Sequence, residues 1–92
     1  MIRSFASRDT EELFKGGSPR KFRSFQAQAE RKLQTLDSAK DLNDVRVPSG
    51  NRLEKLSGDR RGQHSIRIND QWRICFHWRD DGAGDVEMVD YH

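Results

Sequence analysis

Ninety-two residues, 33% apolar and 35% charged with a mean hydropathy of −1.02, suffice for one small domain (1–92) with a modest core. No apolar run approaches the ~20 residues of a membrane helix, Met1-Ile2-Arg3 opens no secretory leader, and the single Cys75 excludes an intrachain disulfide and fits a reducing cytoplasm. The net charge is only +2, yet all 17 Lys and Arg precede residue 80, and residues 80–92 carry Asp80, Asp81, Asp85, Glu87 and Asp90.

In chain order, Ile2 to Phe5 reads as a first strand. Asp9-Thr10-Glu11-Glu12 has capping-box spacing and leads into a short helix that ends at Gly16-Gly17. Ser18-Pro19 then predicts the start of a longer helix, with Phe22, Phe25, Ala29, Leu33 and Leu36 on one face and Lys21, Arg23, Arg31 and Lys32 on the other. Residues 41–52 are loop-like, with one helical turn at Asp41-Leu42-Asn43-Asp44. Leu53 and Leu56 anchor a strand before Gly58.

Beyond Gly62 the apolar period becomes two. His64, Ile66 and Ile68 alternate with polar residues, as do Trp72, Ile74, Phe76 and Trp78, and Asn69-Asp70-Gln71 between them has turn chemistry. A connection centred on Asp70 sets Ile68 against Trp72 and Ile66 against Ile74, which keeps one face apolar. The other face then pairs Arg67 with Arg73 and Ser65 with Cys75, and puts Gln63 near His77. Directly opposed like charges repel, so the arginine pair predicts an anion between them. After an acidic loop from Asp80 to Asp85, a last strand runs from Val86 to Tyr91. The expected fold is α+β, with two N-terminal helices on one face of a small antiparallel sheet and a polar opposite face.

The chemistry follows from that polar face. His64, Cys75, His77 and His92 lack paired metal-ligand spacing, and Gly58-Asp59-Arg60-Arg61-Gly62 lacks the ending of a phosphate loop. Cys75 has no partner in the sequence that would activate it. Asp90-Tyr91-His92 puts an acid, a phenol and an imidazole at a strand end; His92 is expected to carry the terminal carboxylate beside its ring, which favours the imidazolium. A basic sheet face with such groups suits RNA cleavage by the substrate's own 2′-hydroxyl. That reaction needs a base, an acid and a cation for the phosphorus oxygens, and it calls for no metal or other cofactor. Arg46, Arg52, Lys55, Arg60, Arg61 and Arg67, opposed in their stretch only by Glu54 and Asp59, suit a phosphate-rich partner.

Leu53-Glu54-Lys55-Leu56-Ser57-Gly58-Asp59-Arg60, Gly62-Gln63-His64-Ser65-Ile66-Arg67-Ile68, Trp72-Arg73-Ile74 and Asp90-Tyr91-His92 together resemble HigB-type toxins of the RelE/ParE superfamily. The resemblance spans the chain from Met1-Ile2-Arg3-Ser4-Phe5 onward. It implies a RelE-like microbial RNase fold and cytoplasmic cleavage of messenger RNA in the ribosomal A site. It also implies neutralisation by a HigA-type helix-turn-helix antitoxin, through which alone the toxin meets operator DNA. Arg73 matches the family's phosphate-contacting arginine, and Asp90, Tyr91 and His92 its terminal triplet. Where some relatives carry a histidine this chain has Glu54, which leaves Glu54, Lys55, Asp90 and His92 as proton acceptors. Arg46, Arg52, Arg60, Arg61, Arg67 and His64 are expected to contact RNA or ribosome. The alternatives are a ParE-like non-catalytic toxin of DNA gyrase and a small RNA-binding module.

Overall fold

The computed structural model describes residues 1–91. Helix α1 (Arg8–Phe14) and helix α2 (Gln26–Ser38) precede four strands, β1 (Glu54–Lys55), β2 (His64–Arg67), β3 (Trp72–Arg79) and β4 (Gly82–Asp90). The strands form one antiparallel sheet in sequence order. Ile66, Ile74, Phe76 and Met88 project from one face and meet Leu13, Phe22, Ala29, Leu33 and Leu36 of the helical layer, all buried. This is the expected α+β arrangement, and among the described residues no helix is long and apolar enough to cross a membrane.

The β2–β3 hairpin has the register that parity requires, with Ile66 opposite Ile74, Arg67 opposite Arg73 and Ser65 opposite Cys75. Its turn is held by the Asn69 side chain, whose Oδ1 accepts from the Gln71 and Trp72 amides at 2.8 Å each.

Several local expectations are corrected. Ile2 to Phe5 is no regular strand; it makes isolated parallel bridges, Ile2 to Ala83 and Phe5 to Val86, along the outer edge of β4. The cap of α1 is Ser7, whose Oγ accepts from the Thr10 amide at 3.2 Å, two residues ahead of the predicted Asp9. Residues Arg20–Phe25 form a 3₁₀ helix before α2 begins. The three-residue spacing of Phe22 and Phe25 stacks one above the other in such a helix, and both rings reach Trp72, at 5.4 and 5.5 Å. The helical turn at Asp41 is a 3₁₀ helix, Leu42–Arg46, closed by a reciprocal Asp41/Asp44 capping box.

The last strand begins at Gly82, not Val86. Asp80 and Asp81, at φ 49° and 68°, make a two-residue turn directly after β3, so most of the predicted acidic loop is strand. A bulge then intervenes: Cys75 faces Glu87 while His77 faces Gly84, so β4 spends one extra residue there, and Asp85 sits at φ 52°. That residue shifts the parity of β4 and lets Ala83, Val86 and Met88 all face the core.

Candidate active site

On the face away from the helices, the ends of β1, β2, β3 and β4 surround an open cleft of about 300 Å³ lined by Arg52, Glu54, Arg67, Asp70, Arg73 and Tyr91, among others. The alternation of the strands explains the gathering. Glu54 pairs with Ser65, Ser65 with Cys75, and Arg73 with Val89, which puts Glu54, Ser65, Arg67, Arg73 and the residue after β4, Tyr91, on one side.

Arg73 is the floor of the cleft and is buried, with only 8% of the residue exposed. An arginine in that position needs partners for its donors. Its Nε donates to Ser65 Oγ at 2.7 Å; its Nη2 donates to the Arg52 carbonyl at 2.6 Å and to the Ser65 carbonyl at 3.3 Å. Arg52 is left-handed at φ 46°, which turns its carbonyl toward the guanidinium. Glu54 Oε1 stands 3.6 Å from Nη2. Among the described residues Nη1 has no partner, so the held fork presents one donor edge to a ligand.

Each of the two arginines expected to hold an anion has a carboxylate of the chain beside it. Arg67 pairs with Asp70 and Arg73 with Glu54, so the two guanidiniums stand opposite each other with their charges separately compensated.

Tyr91 closes the cleft. Its amide donates to the Gln71 carbonyl at 2.6 Å, its ring lies 5.9 Å from the Arg73 guanidinium carbon, and its hydroxyl is 3.9 Å from Cys75 Sγ. Burial, and then the neighbouring Cys75, push the phenol pKa up, so at neutral pH it holds its proton and can donate it. Burial likewise raises the thiol of Cys75, which is fully enclosed mid-strand; an inert thiol is the result.

Other predicted residues lie elsewhere. Lys55 faces the opposite side with its register partner His64. Asp90 likewise alternates away from Tyr91, and its Oδ2 accepts from Gln71 Nε2 at 3.0 Å. Arg60 occupies the cleft face farther along the sheet, bound to Glu87 at 3.3 Å and Gln63 at 3.1 Å, and Gln63 lies 3.5 Å from His77 as parity predicts. Arg61 is exposed in the following turn, and Arg46 donates to Asn43 at 2.9 Å. His92 lies outside the described residues. Sequence reasoning did not single out Ser65 as the anchor of Arg73; a serine on the polar face diagonal to Arg73, opposite Cys75, was the available signal.

His64 stacks on Phe76 with 6.2 Å between ring centroids, and its buried Nδ1 has no hydrogen-bond partner among the described residues. Burial, then Lys55 and Arg46, lower its pKa below 6.5. The folded protein therefore binds this proton less readily than the unfolded chain does. The corresponding stability is fully present above pH 6.5 and is lost as the pH falls below it. Thermal unfolding should thus move to lower temperature as the pH falls below 6.5, and His64→Leu should flatten that slope. Parallel slopes for both proteins would contradict the assignment.

A family model described as the RelE-like toxin of the type II toxin-antitoxin system HigB matches residues 3–92. Toxin HigB-1 of Vibrio cholerae is 50% identical over 50 residues, covering 54% of this chain and 53% of that protein. Endoribonuclease HigB of Proteus vulgaris is 33% identical over 61 residues, 66% of this chain and 65% of that one. The chain thus spans between about half and two thirds of the length of these curated relatives. Two solved YoeB-YefM complexes from Staphylococcus aureus contain chains of the same fold. One, a heterotetrameric toxin-antitoxin complex, gives a TM-score of 0.64 at 22% identity; the other gives 0.59 at 20%. Each covers 100% of this chain and 98% of its own.

Proposed function

The chain belongs to the HigB-like family of RelE-like type II toxins, and from that membership we propose that it is a cytoplasmic endoribonuclease that cleaves messenger RNA in the ribosomal A site. A HigA-type antitoxin neutralises it and brings it to operator DNA. The observation that supports the chemistry is the convergence of Arg73, Glu54 and Tyr91 on one cleft.

A scissile phosphate there meets the Nη1 edge of Arg73. The Glu54 carboxylate takes the proton of the ribose 2′-hydroxyl as its oxygen attacks phosphorus in line. The bond to the 5′-oxygen breaks, and the Tyr91 phenol supplies the proton for that leaving group. The products are a 2′,3′-cyclic phosphate and a 5′-hydroxyl, and Arg73 stabilises the extra charge on phosphorus between them. The nucleophile comes from the substrate, so the protein's work is positioning and proton transfer. His92, one residue beyond Tyr91, is the further proton-transfer group of this reading. Asp90 acts through Gln71 on the position of the chain end. Arg52 and Arg67 line the cleft and Arg60 and Arg61 extend its basic surround for RNA, while Arg46, Lys55 and His64, on the other side of the sheet, are left to contacts with the ribosome.

Tyr91→Phe tests the acid, because the ring can still pack on Arg73. Cleavage of ribosome-bound messenger RNA should fall about a hundredfold, within the usual range for a general acid, while thermal unfolding stays where it was. Wild-type rates in this variant would remove Tyr91 from proton transfer, and Glu54→Gln poses the same question for the base.

A further inference from the structure

Arg67 lines two clefts. Besides the one that holds Arg73, it borders a second of about 270 Å³ against helix α2, formed with Gln28, Arg31, Lys32, Gly50 and Ile68. Among the described residues three cations and no carboxylate line this pocket, and Arg67 reaches it from its pair with Asp70. Lys32 and Arg31 belong to the polar face of α2, which the core does not use.

The pocket also has a buried support. Lys32 Nζ donates to Asn51 Oδ1, and Asn51 is fully buried. The Asn51 amide donates in turn to the Val45 carbonyl at 3.1 Å and the Val47 carbonyl at 3.3 Å. A long lysine side chain ordinarily keeps its freedom in solvent; here a satisfied interior amide fixes where the ammonium points.

We propose that this pocket is a second phosphate subsite for the same RNA strand, holding a phosphate next to the scissile one, with Arg67 shared between them. The inference rests on the reading of the first cleft as the cleavage site. RNA fits better than an acidic protein segment. The pocket shares Arg67 with the cleft, and among the described residues its one apolar lining side chain is Ile68, whereas protein partners generally bring aromatic or aliphatic anchors into dry pockets.

Gly50 allows a test that removes no existing contact, since a Cβ added there meets nothing within 4 Å. Gly50→Glu puts a carboxylate among the three cations, and Gly50→Gln controls for bulk. The probe is a fluorescent, uncleavable 2′-O-methyl RNA decamer titrated at several salt concentrations. Gly50→Glu should bind it about five- to tenfold more weakly, with the salt slope reduced by about 0.7 for the phosphate released, while Gly50→Gln stays near wild type. Equal affinity of Gly50→Glu and wild type would overturn the subsite, as would wild type failing to bind the decamer. So would a loss confined to the antitoxin with RNA binding unchanged, which would assign the pocket to protein. Failure of the cleavage reading looks different: wild type binds the decamer but leaves ribosome-bound RNA intact.

Discussion

Arg73→Ala should abolish cleavage and also weaken the fold. Withdrawing the donor that faces the phosphorus oxygens costs on the order of 3 kcal/mol in the transition state, a rate loss of about a hundredfold or more. A guanidinium on an open polar face would be removed without structural cost. This one is buried and bridges Ser65 to the Arg52 carbonyl, so truncation orphans the buried Ser65 hydroxyl, at about 1–3 kcal/mol, and takes a donor from the part-buried Arg52 carbonyl. Thermal unfolding and messenger RNA cleavage measured together separate the two effects. Below the new midpoint, a folded Arg73→Ala protein that cleaves at the wild-type rate would remove Arg73 from the chemistry. An unshifted midpoint would mean that its hydrogen bonds carry no stability. Arg73→Lys keeps the charge but loses the fork, and it should recover less of either property than its charge suggests.

Phe76→Ala should be the most damaging change for stability alone. The ring is fully buried at the centre of β3, between the helical layer and the stack with His64. Emptying such a site costs about 3–5 kcal/mol, against a total of about 5–15 kcal/mol for a small domain. The variant should be largely unfolded at body temperature by circular dichroism, and Phe76→Leu should restore most of the loss. A midpoint within a few degrees of wild type would mean that α2 and the sheet collapse to fill the space.

How much of this was legible in the sequence depends on the range of the interaction that decides it. The β2–β3 register was legible because parity alone settles it: only a turn centred on Asp70 keeps Ile66 and Ile74 on one side. The bulge in β4 was not, because it rests on a left-handed aspartate, Asp85, that composition does not mark. The same blindness hid the turn at Asp80-Asp81, where two acids read as loop. In the site, the alternation of β2 and β3 was enough to put Arg67 and Arg73 side by side. The burial of Arg73 was not readable, since its acceptors are a serine and a backbone carbonyl delivered by a loop twenty-one residues earlier in the chain. The helix start failed for a subtler reason, because Phe22 and Phe25 satisfy both a 3₁₀ and an α period.

The parallel bridges of the first residues bear on how this chain meets others. A sheet usually leaves two borders where a foreign strand could continue its hydrogen bonding. Here residues 1–6 lie along the β4 border, where the amides of Arg3 and Ala6 donate to the carbonyls of Ala83 and Val86 and the amides of Ala83 and Val86 donate to the carbonyls of Met1 and Ser4, at 2.8–3.0 Å. Farther along β4 the Met88 amide donates to Thr10 Oγ1 at 3.0 Å, and at the other border β1 is two residues long. Edge-to-edge polymerisation therefore has only short stretches of template. Binding by faces and side chains is the mode that this architecture leaves open.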